Sequence, residues 1–383
     1  MMKRLCAFLT ALLLAAAPAA RCESAPALTE QGLELSGSSV RYPQITGMAD
    51  EALQAAVNEA LLTAGDVENR LNRLSALISD PATLTVDYEA TLAGDVLSCV
   101  YSAEGAVESA AVTHVYSALN LDLRTGEPIA FADLFVNETA ARARMETILT
   151  DEIAPEMSAH LESCDLSPLP ETFGLSATGL TLYYPVSRFS TLAGRAGSVT
   201  LLWSELAPLL RPGEDTVLRR LGAEAMLTLN ADSADAIRAA AETGALPGIP
   251  AKVGEPMAEL VSRYRLLSDP DLYEGGRLVQ LEDGAFRGVF LMTDALTERF
   301  DASEVQGVRA DRLCLYGLRT GQTTQEAWRA ALGAPDATVK LDADAAERFR
   351  LPAGTSDYYQ CGAYRLRLHA DEAGVLVSVI LTP

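Results

Sequence analysis

The sequence predicts an α+β protein of two domains, mainly antiparallel sheets with helices packed on one face. Three observations lead there. Apolar residues recur at helical spacing up to about residue 78, then at period two from Leu84. A charged, turn-rich stretch at 211–215, RPGED, breaks the pattern and has no apolar period of its own. Beyond it, a Gly-led helical segment at Gly254 returns 67 residues later at Gly321, each copy followed by a strand hairpin.

With 383 residues, the chain has room for two or three domains and sizeable cores. A hydrophobic content of 49% argues against disorder. The net charge is −22, and the only lysines are Lys3, Lys252 and Lys340. Such a surface repels phosphate backbones and anionic lipids, which excludes nucleic-acid binding and disfavours membrane surfaces. The same acidity keeps a chain in solution and favours a cationic partner.

Residues 1–24 read as a signal peptide: Lys3 and Arg4, an apolar run over 5–17, and small-residue cleavage motifs at 17–19 and 22–24. The apolar run is short of the roughly 20 residues a membrane-spanning helix needs. Arg21 before Cys22 does not suit a lipidation motif. The expectation is Sec-type export to the cell surface or beyond, without stable membrane insertion after cleavage. Beyond Cys22 four cysteines follow: Cys99, Cys164, Cys314 and Cys361. Export permits disulfides, and Cys99–Cys164 with Cys314–Cys361 is the simplest of three pairings; buried free thiols are the alternative. There is no CxxC, and no cofactor or metal is expected.

Residues 25–37 read as a tether, and RYPQI at 41–45 as an extended run. Thr46 to Asp50 opens a helix with Leu53, Val57, Ala60 and Leu61 on one face, breaking at Gly65 and continuing to about 78. Strands follow at 84–90, 96–103 and 110–123, with breaks at Gly94 and Gly105. Thr125-Gly126 turns the chain, Ile129 and Phe131 return to the core, and Asn137 caps a helix carrying Met145, Ile148 and Leu149. A hairpin spans 173–184, a strand 199–203, and Ser204 caps a short helix to 210. Ser233 caps a further helix over 234–243.

Three stretches carry a family resemblance: YPQITGMADEALQAAVNEAL, LNLDLRTGEPIAFADLF and FGLSATGLTLYYPVSRFSTLAGRAGSVTLLWSEL. In order and wording, residues 38–212 resemble the extracellular RsiV-like domain and the domain that accompanies the deacetylase PdaC. The resemblance implies a non-catalytic domain that recognises lysozyme or cell-wall glycan at the envelope. No cytoplasmic anti-sigma segment precedes the apolar stretch and no deacetylase motif is present, so neither of those activities is implied. A loop before the long strand, where relatives carry a Gly-Gly-Ala-His wording, reads ESAAVTH at 108–114.

Residues 213–247 read as linker and helix. Residues 248–383 resemble β-lactamase-inhibitor-protein-like domains in tandem, with repeats at about 248–312 and 313–383. That implies protein or peptide binding on a sheet face.

Catalytic motifs are missing. Residues 174–179 are GxSxxG, one residue longer than a nucleophile elbow, and neither lysine lies in a phosphate-binding loop. His114, His160 and His369 are far apart in sequence, with no HExxH. A non-catalytic protein is therefore expected. Candidate binding residues are Glu104, Glu108, Thr113 and His114 from the loop before the long strand; Tyr183, Tyr184 and Trp203 as sugar-stacking aromatics, with core packing as their other use; and Asp357, Tyr358 and Tyr359 as a recognition loop or a turn into a strand. Expected partners are a protein or peptidoglycan ligand, including a cationic one such as lysozyme. A secreted inhibitor of a protease or β-lactamase-like enzyme, and a cell-wall hydrolase or deacetylase, are the alternative functions.

Overall fold

The computed structural model describes residues 25–35, 37–76, 83–106, 113–154, 163–185, 189–190, 197–264, 266–281, 286–294 and 299–383. The architecture is α+β with antiparallel sheets predominating. The first sheet has six strands in spatial order β1 (Ala27–Leu35), β2 (Ser38–Thr46), β3 (Thr83–Ala93), β4 (Val96–Ala106), β5 (Thr113–Asp122) and β6 (Glu127–Pro128). Only β2 and β3 pair in parallel, because α1 (Glu51–Ala64) and α2 (Val67–Ala76) form a crossover between them. The Asp50 carboxylate caps α1 by accepting from the Ala52 and Leu53 amides. Val57 and Leu61 then pack on Val40, Val86, Leu97, Cys99 and Leu121, the inward set of the period-two pattern. Gly65 breaks the helix where any Cβ would lie 2.8 Å from the Tyr101 ring.

Two expectations change here. Residues 25–37 are not a tether: they supply β1, an edge strand paired along its whole length with β2. It is exposed on both faces, so no apolar alternation announced it. Gly105 does not end its strand, since β4 continues through it to Ala106 and pairs Gly105 with Thr113.

A second core lies against the first sheet. Asn137 caps α3 (Glu138–Ile148), its side-chain oxygen accepting from the Ala140 amide at 3.0 Å. The two-residue strands β7 (Ser163–Cys164) and β10 (Phe189–Ser190) pair with each other. Strands β8 (Phe173–Leu175), β9 (Gly179–Tyr184) and β11 (Gly197–Leu202) form a three-stranded sheet in order β11-β9-β8. Leu180, Leu182, Tyr184, Val199 and Leu201 pack on Met145, Ile148 and Trp203. Trp203 opens the next helix, α4 (Trp203–Leu206), which is capped not by Ser204 but from within, Glu205 accepting from the Leu202 amide at 2.8 Å.

The 211–215 break is fastened to this core: the Arg211 guanidinium donates to the carbonyls of Ala132 and Phe135. Helices α5 (Val217–Arg220) and α6 (Ala223–Leu227) still belong to it, and the handover to the next core falls between Leu227 and Leu229. Helix α7 (Ala231–Glu242) starts three residues before the expected Ala234. Asn230 is its cap, and Ser233 is the reciprocal partner of a capping box.

In the last core, β12 (Asp271–Tyr273), β13 (Gly276–Val279), β14 (Val289–Thr293) and β15 (Gly307–Ala310) run inward from one edge of a sheet. A small ribbon, β16 (Cys314–Leu315) with β17 (Leu318–Arg319), intervenes. Then β18 (Ala337–Leu341), β19 (Gly354–Cys361), β20 (Tyr364–Asp371) and β21 (Leu376–Thr382) run inward from the other edge. The two four-stranded meanders join through β15 and β21 into one eight-stranded sheet. A helix precedes each meander, α8 (Met257–Arg263) and α9 (Gln325–Leu332). One sheet face, with Val279, Leu291, Val308, Leu366 and Leu381, packs on Ile237, Met257 and Trp328. The other carries Phe290, Arg309, Ile380, Arg367 and Tyr358 in one cross-strand row.

That second face has its own cover. Helix α10 (Ala343–Arg348) and residues 349–353 leave β18 and cross it, packing Ala346 and Leu351 on Ile380 and Leu341. They reach the opposite edge, where Arg348 pairs with Glu274 and Arg350 with Asp271. No helix among the described residues is long and apolar enough to cross a membrane.

Candidate functional site

The first sheet has two dissimilar faces. Leu84, Val86, Leu97, Cys99 and Leu121 point to the helices. The alternate positions, Asp87, Glu89 and Thr91 on β3, Ser98, Val100 and Ser102 on β4, and His114, Tyr116 and Asn120 on β5, form a polar second face. Part of it is covered by β8. Ser98 Oγ accepts from the Leu175 amide at 2.8 Å, and Asn120 Nδ2 donates to the Phe173 carbonyl at 2.9 Å. Strands joined to a face through hydroxyls and amides do not close on it as apolar surfaces do, and a cleft remains.

The cleft has a volume of about 280 Å³ and three walls: Glu89, Thr91, Ser98 and Val100 of the first sheet; Gly174 to Ser176, Thr178, Thr181, Tyr183 and Thr200 of the small sheet; and the Gly248 to Pro250 turn of the C-terminal half. Among the described residues, seven lining side chains carry hydroxyls, Glu89 is the one carboxylate, and no lysine or arginine lines it. Thr181 and Thr200 bond hydroxyl to hydroxyl at 2.9 Å, and Ser176 and Thr178 at 3.1 Å. Such pairs leave lone pairs and rotatable protons for a ligand. Gly248 closes the wall in a left-handed conformation, φ +82°, where a Cβ would meet Thr178 Oγ1 at 2.4 Å. Behind Ser98, its cross-strand neighbour Asn120 is buried with Oδ1 unpaired among the described residues. Below, Arg312 ties the halves together, donating to Glu205 and to the Thr200 carbonyl.

Of the sequence-selected residues, the structure brings three to this face: Tyr183, His114 and Glu104. Tyr183 lines the cleft, its hydroxyl 3.5 Å from Glu89. Its ring lies 4.8 Å from Tyr116, which lies 4.8 Å from His114, giving a row of three tilted rings. Glu104 is paired across the strands with His114, and both are half-buried. Thr113 opens β5, while Glu108 and His160 lie outside the described residues.

The remaining selections are structural. Tyr184 and Trp203 are fully buried, which removes them as sugar-stacking groups; they donate to the carbonyls of Leu166 and Ser176. Asp357 is not in a recognition loop. It is fully buried in β19 and accepts from Arg329, Thr338, Trp328 and Gln325. Burial pushes its carboxyl upward, but these donors outweigh burial and hold it below the usual carboxylate range. Tyr359 is core, donates to the Gly333 carbonyl, and burial pushes its phenol up to about 12. Tyr358 is half-buried and lines a groove of about 400 Å³ with Asp336, Ala337, Val339, Gln360 and Arg365, beside edge strand β18. All four cysteines are free thiols. Burial pushes Cys99 up to about 12 and Cys164 to about 11.

One arrangement looks catalytic and is not built to act. Ser356 Oγ lies 2.8 Å from His369 Nδ1, and His369 Nε2 lies 2.8 Å from the Pro352 carbonyl. The carbonyl demands a proton on Nε2, so Nδ1 accepts and Ser356 donates. Arg367 Nε in turn donates to Ser356 at 2.9 Å. Serine and histidine are both fully buried beneath residues 349–353, with no path for a substrate. No three His, Cys, Asp or Glu side chains among the described residues group as a metal site.

The serines and threonines of the cleft were missed by the sequence because Thr91, Ser98, Thr181 and Thr200 are small hydroxyls at strand positions, the pattern of an ordinary solvated face, while Ser176 and Thr178 lie in the turn between β8 and β9. The one signal was their density: SATGLT at 176–181 and SVT at 198–200, with Thr91 of β3 and Ser98 of β4 opposite.

No family model matches the sequence, and no curated protein matches it. Solved structures do show likeness. A DUF3298 family member from Bacteroides fragilis is 14% identical, with a TM-score of 0.40 over 52% of this chain and 98% of its own. A DUF3298 family protein from Pseudomonas aeruginosa is 11% identical, with a TM-score of 0.34 over 49% and 93%. The DUF4309 family protein YjgB of Bacillus subtilis is 14% identical, with a TM-score of 0.26 over 40% and 97%. These are domains of unknown function, and none of them carries a catalytic role to this chain.

Proposed function

We propose that this is an exported, non-catalytic recognition protein of the cell envelope, and that its ligand is cell-wall glycan or a protein bound to it, such as lysozyme. The observation that carries the reading is the cleft: among the described residues, seven hydroxyls and one carboxylate, with no basic group, at the meeting of the two sheets of the first half and a turn of the second. Hydroxyl-rich walls suit a polyhydroxylated, uncharged ligand, and the Glu89 carboxylate disfavours phosphates and carboxylates. The export signal read at residues 1–24 and the RsiV/PdaC-like wording of 38–212 support a ligand at the envelope. The full chain, immobilised, should retain peptidoglycan or lysozyme from solution without added metal or nucleotide. Retention of neither at micromolar concentration refutes the reading.

A second reading is favoured by one observation. The paired meanders with their preceding helices suit the tandem inhibitor-like repeat, and the Tyr358 groove beside β18 is where a peptide of a target enzyme would lie. Inhibition of a panel of secreted proteases and β-lactamases by the full chain tests it; no inhibition removes it.

A further inference from the structure

We propose that the cleft and the ring row beside it form one continuous site for an uncharged oligosaccharide: the cleft takes one sugar, and His114, Tyr116 and Tyr183 take the next. This rests on the glycan form of the reading above. The geometry has three parts.

First, the cleft is small. About 280 Å³ sits at the lower edge of the roughly 300–1,000 Å³ usual for small-molecule sites. A chain of sugars cannot fit inside and must leave over one wall.

Second, the first sheet continues past the cleft on the same face. Glu89 and Val100 line it; one step along, Asp87, Ser102 and Tyr116 share a cross-strand row, and another step brings Glu104 and His114. Tyr183 belongs to both regions, lining the cleft while its ring contacts Tyr116.

Third, the chemistry along that path suits a sugar chain. Rings offer apolar surface to the C–H faces of a pyranose, and Tyr116 and His114 are both half-buried, so part of each ring remains at the surface. Glu89 and Glu104 accept hydroxyl hydrogen bonds beside them. A basic protein would also be attracted by the net charge of −22, but the cleft would admit only a side chain of it, leaving most of the hydroxyls unused. The hydroxyl walls therefore favour the saccharide.

The test is calorimetric titration of the full chain with N-acetylglucosamine, its β-1,4-linked tetramer, and cellotetraose. One tetramer should bind at least tenfold more tightly than the monomer. Tyr116→Ala should weaken that tetramer about tenfold and the monomer less than twofold, while Tyr116→Phe, which keeps the ring, stays within twofold of the parent. His114→Ala, at the outer end of the row, repeats the measurement if Tyr116→Ala does not fold. Parent-like tetramer binding by the ring variants, with binding lost in Thr181→Val, overturns the extended site and leaves the cleft as a single-sugar site. No binding of any saccharide by the parent overturns the extended site and the glycan reading together. Retention of lysozyme by the same sample then assigns the protein-binding form.

Discussion

Asp357 is a fully buried carboxylate held by four side chains, and its removal gives a sharp test of the C-terminal half. Its Oδ1 accepts from Arg329 at 2.7 Å and Thr338 at 2.8 Å; its Oδ2 accepts from Arg329 at 2.7 Å and Trp328 at 3.0 Å. The carboxylate is fully buried, whereas the Arg329 side chain is 39% exposed. The two partners should therefore respond differently. In Asp357→Asn, arginine can turn to water but the indole and Thr338 lose a charged acceptor, which places the cost near the low end of the 3–5 kcal/mol for breaking a buried pair, about 3 kcal/mol. In Arg329→Ala the carboxylate stays buried without its counter-charge, and burial then raises its pKa. The sign of the pH response follows. In the parent the folded pKa lies below the unfolded value of about 3.9, so this contribution is present above that value and is lost as pH falls through the folded pKa. In Arg329→Ala the folded pKa lies above it, so acidification protects the fold. The assay is urea unfolding followed by the fluorescence of Trp328 in a Trp203→Phe background, at several pH values from neutral to acid. A cost below about 1 kcal/mol for Asp357→Asn, or the same sign of pH response in parent and Arg329→Ala, refutes the reasoning.

Three further outcomes are expected. His369 has its pKa lowered, first by burial and then by Arg367 and Arg309, with the Pro352 carbonyl opposing; stability should fall as pH drops below about 6.5 towards the folded pKa, and His369→Gln should flatten that part of a melting-temperature profile. The thiols should resist Ellman's reagent in the native state at neutral pH, with Cys164 reacting before Cys99, and reductant should leave the melting temperature unchanged; a shift with reductant would reveal a disulfide. Arg312→Ala removes the bond to Thr200 and the pair with Glu205, whose side chains are 16% and 22% exposed, and should cost about 1–3 kcal/mol in urea unfolding.

The sequence disclosed those features whose causes are local. Asp50 and Asn137 cap helices because a side chain reaches amides two or three residues ahead, and their positions are readable from neighbours alone. The inward alternation of Leu84 and Val86 is equally local. Ser233 shows the limit: a capping box uses two polar residues three apart, and choosing which one is the cap requires knowing where the chain enters. The candidate site was less legible because its residues meet through distant pairing. Asp357 looked like a loop residue until Arg329 and Trp328 of a preceding helix covered it. Tyr184 and Tyr183 are adjacent and alternate, so one faces the core and the other the cleft; the sequence named both and could not divide them.

The two large sheets pose the same problem and solve it differently, which bears on where recognition resides. Each has one apolar face under helices and a second face carrying polar groups that need partners. On the eight-stranded sheet, residues 343–353 answer those groups with backbone carbonyls: Phe349 accepts from Arg309, and Pro352 is bonded to His369. The cover also packs apolar side chains on Ile380, and the face beneath it is sealed. On the six-stranded sheet, the cover among the described residues is a strand held by Ser98 and Asn120, and it reaches only part of the face. What lies beyond, from Glu89 past Tyr116 to Glu104 and His114, keeps its polarity at the surface. A sealed polar face contributes to one fold, whereas an unsealed one beside a hydroxyl-lined cleft is available to a ligand. The N-terminal sheet therefore has the stronger claim to recognition, and the fully bonded Ser356–His369 pair belongs to the architecture of the other.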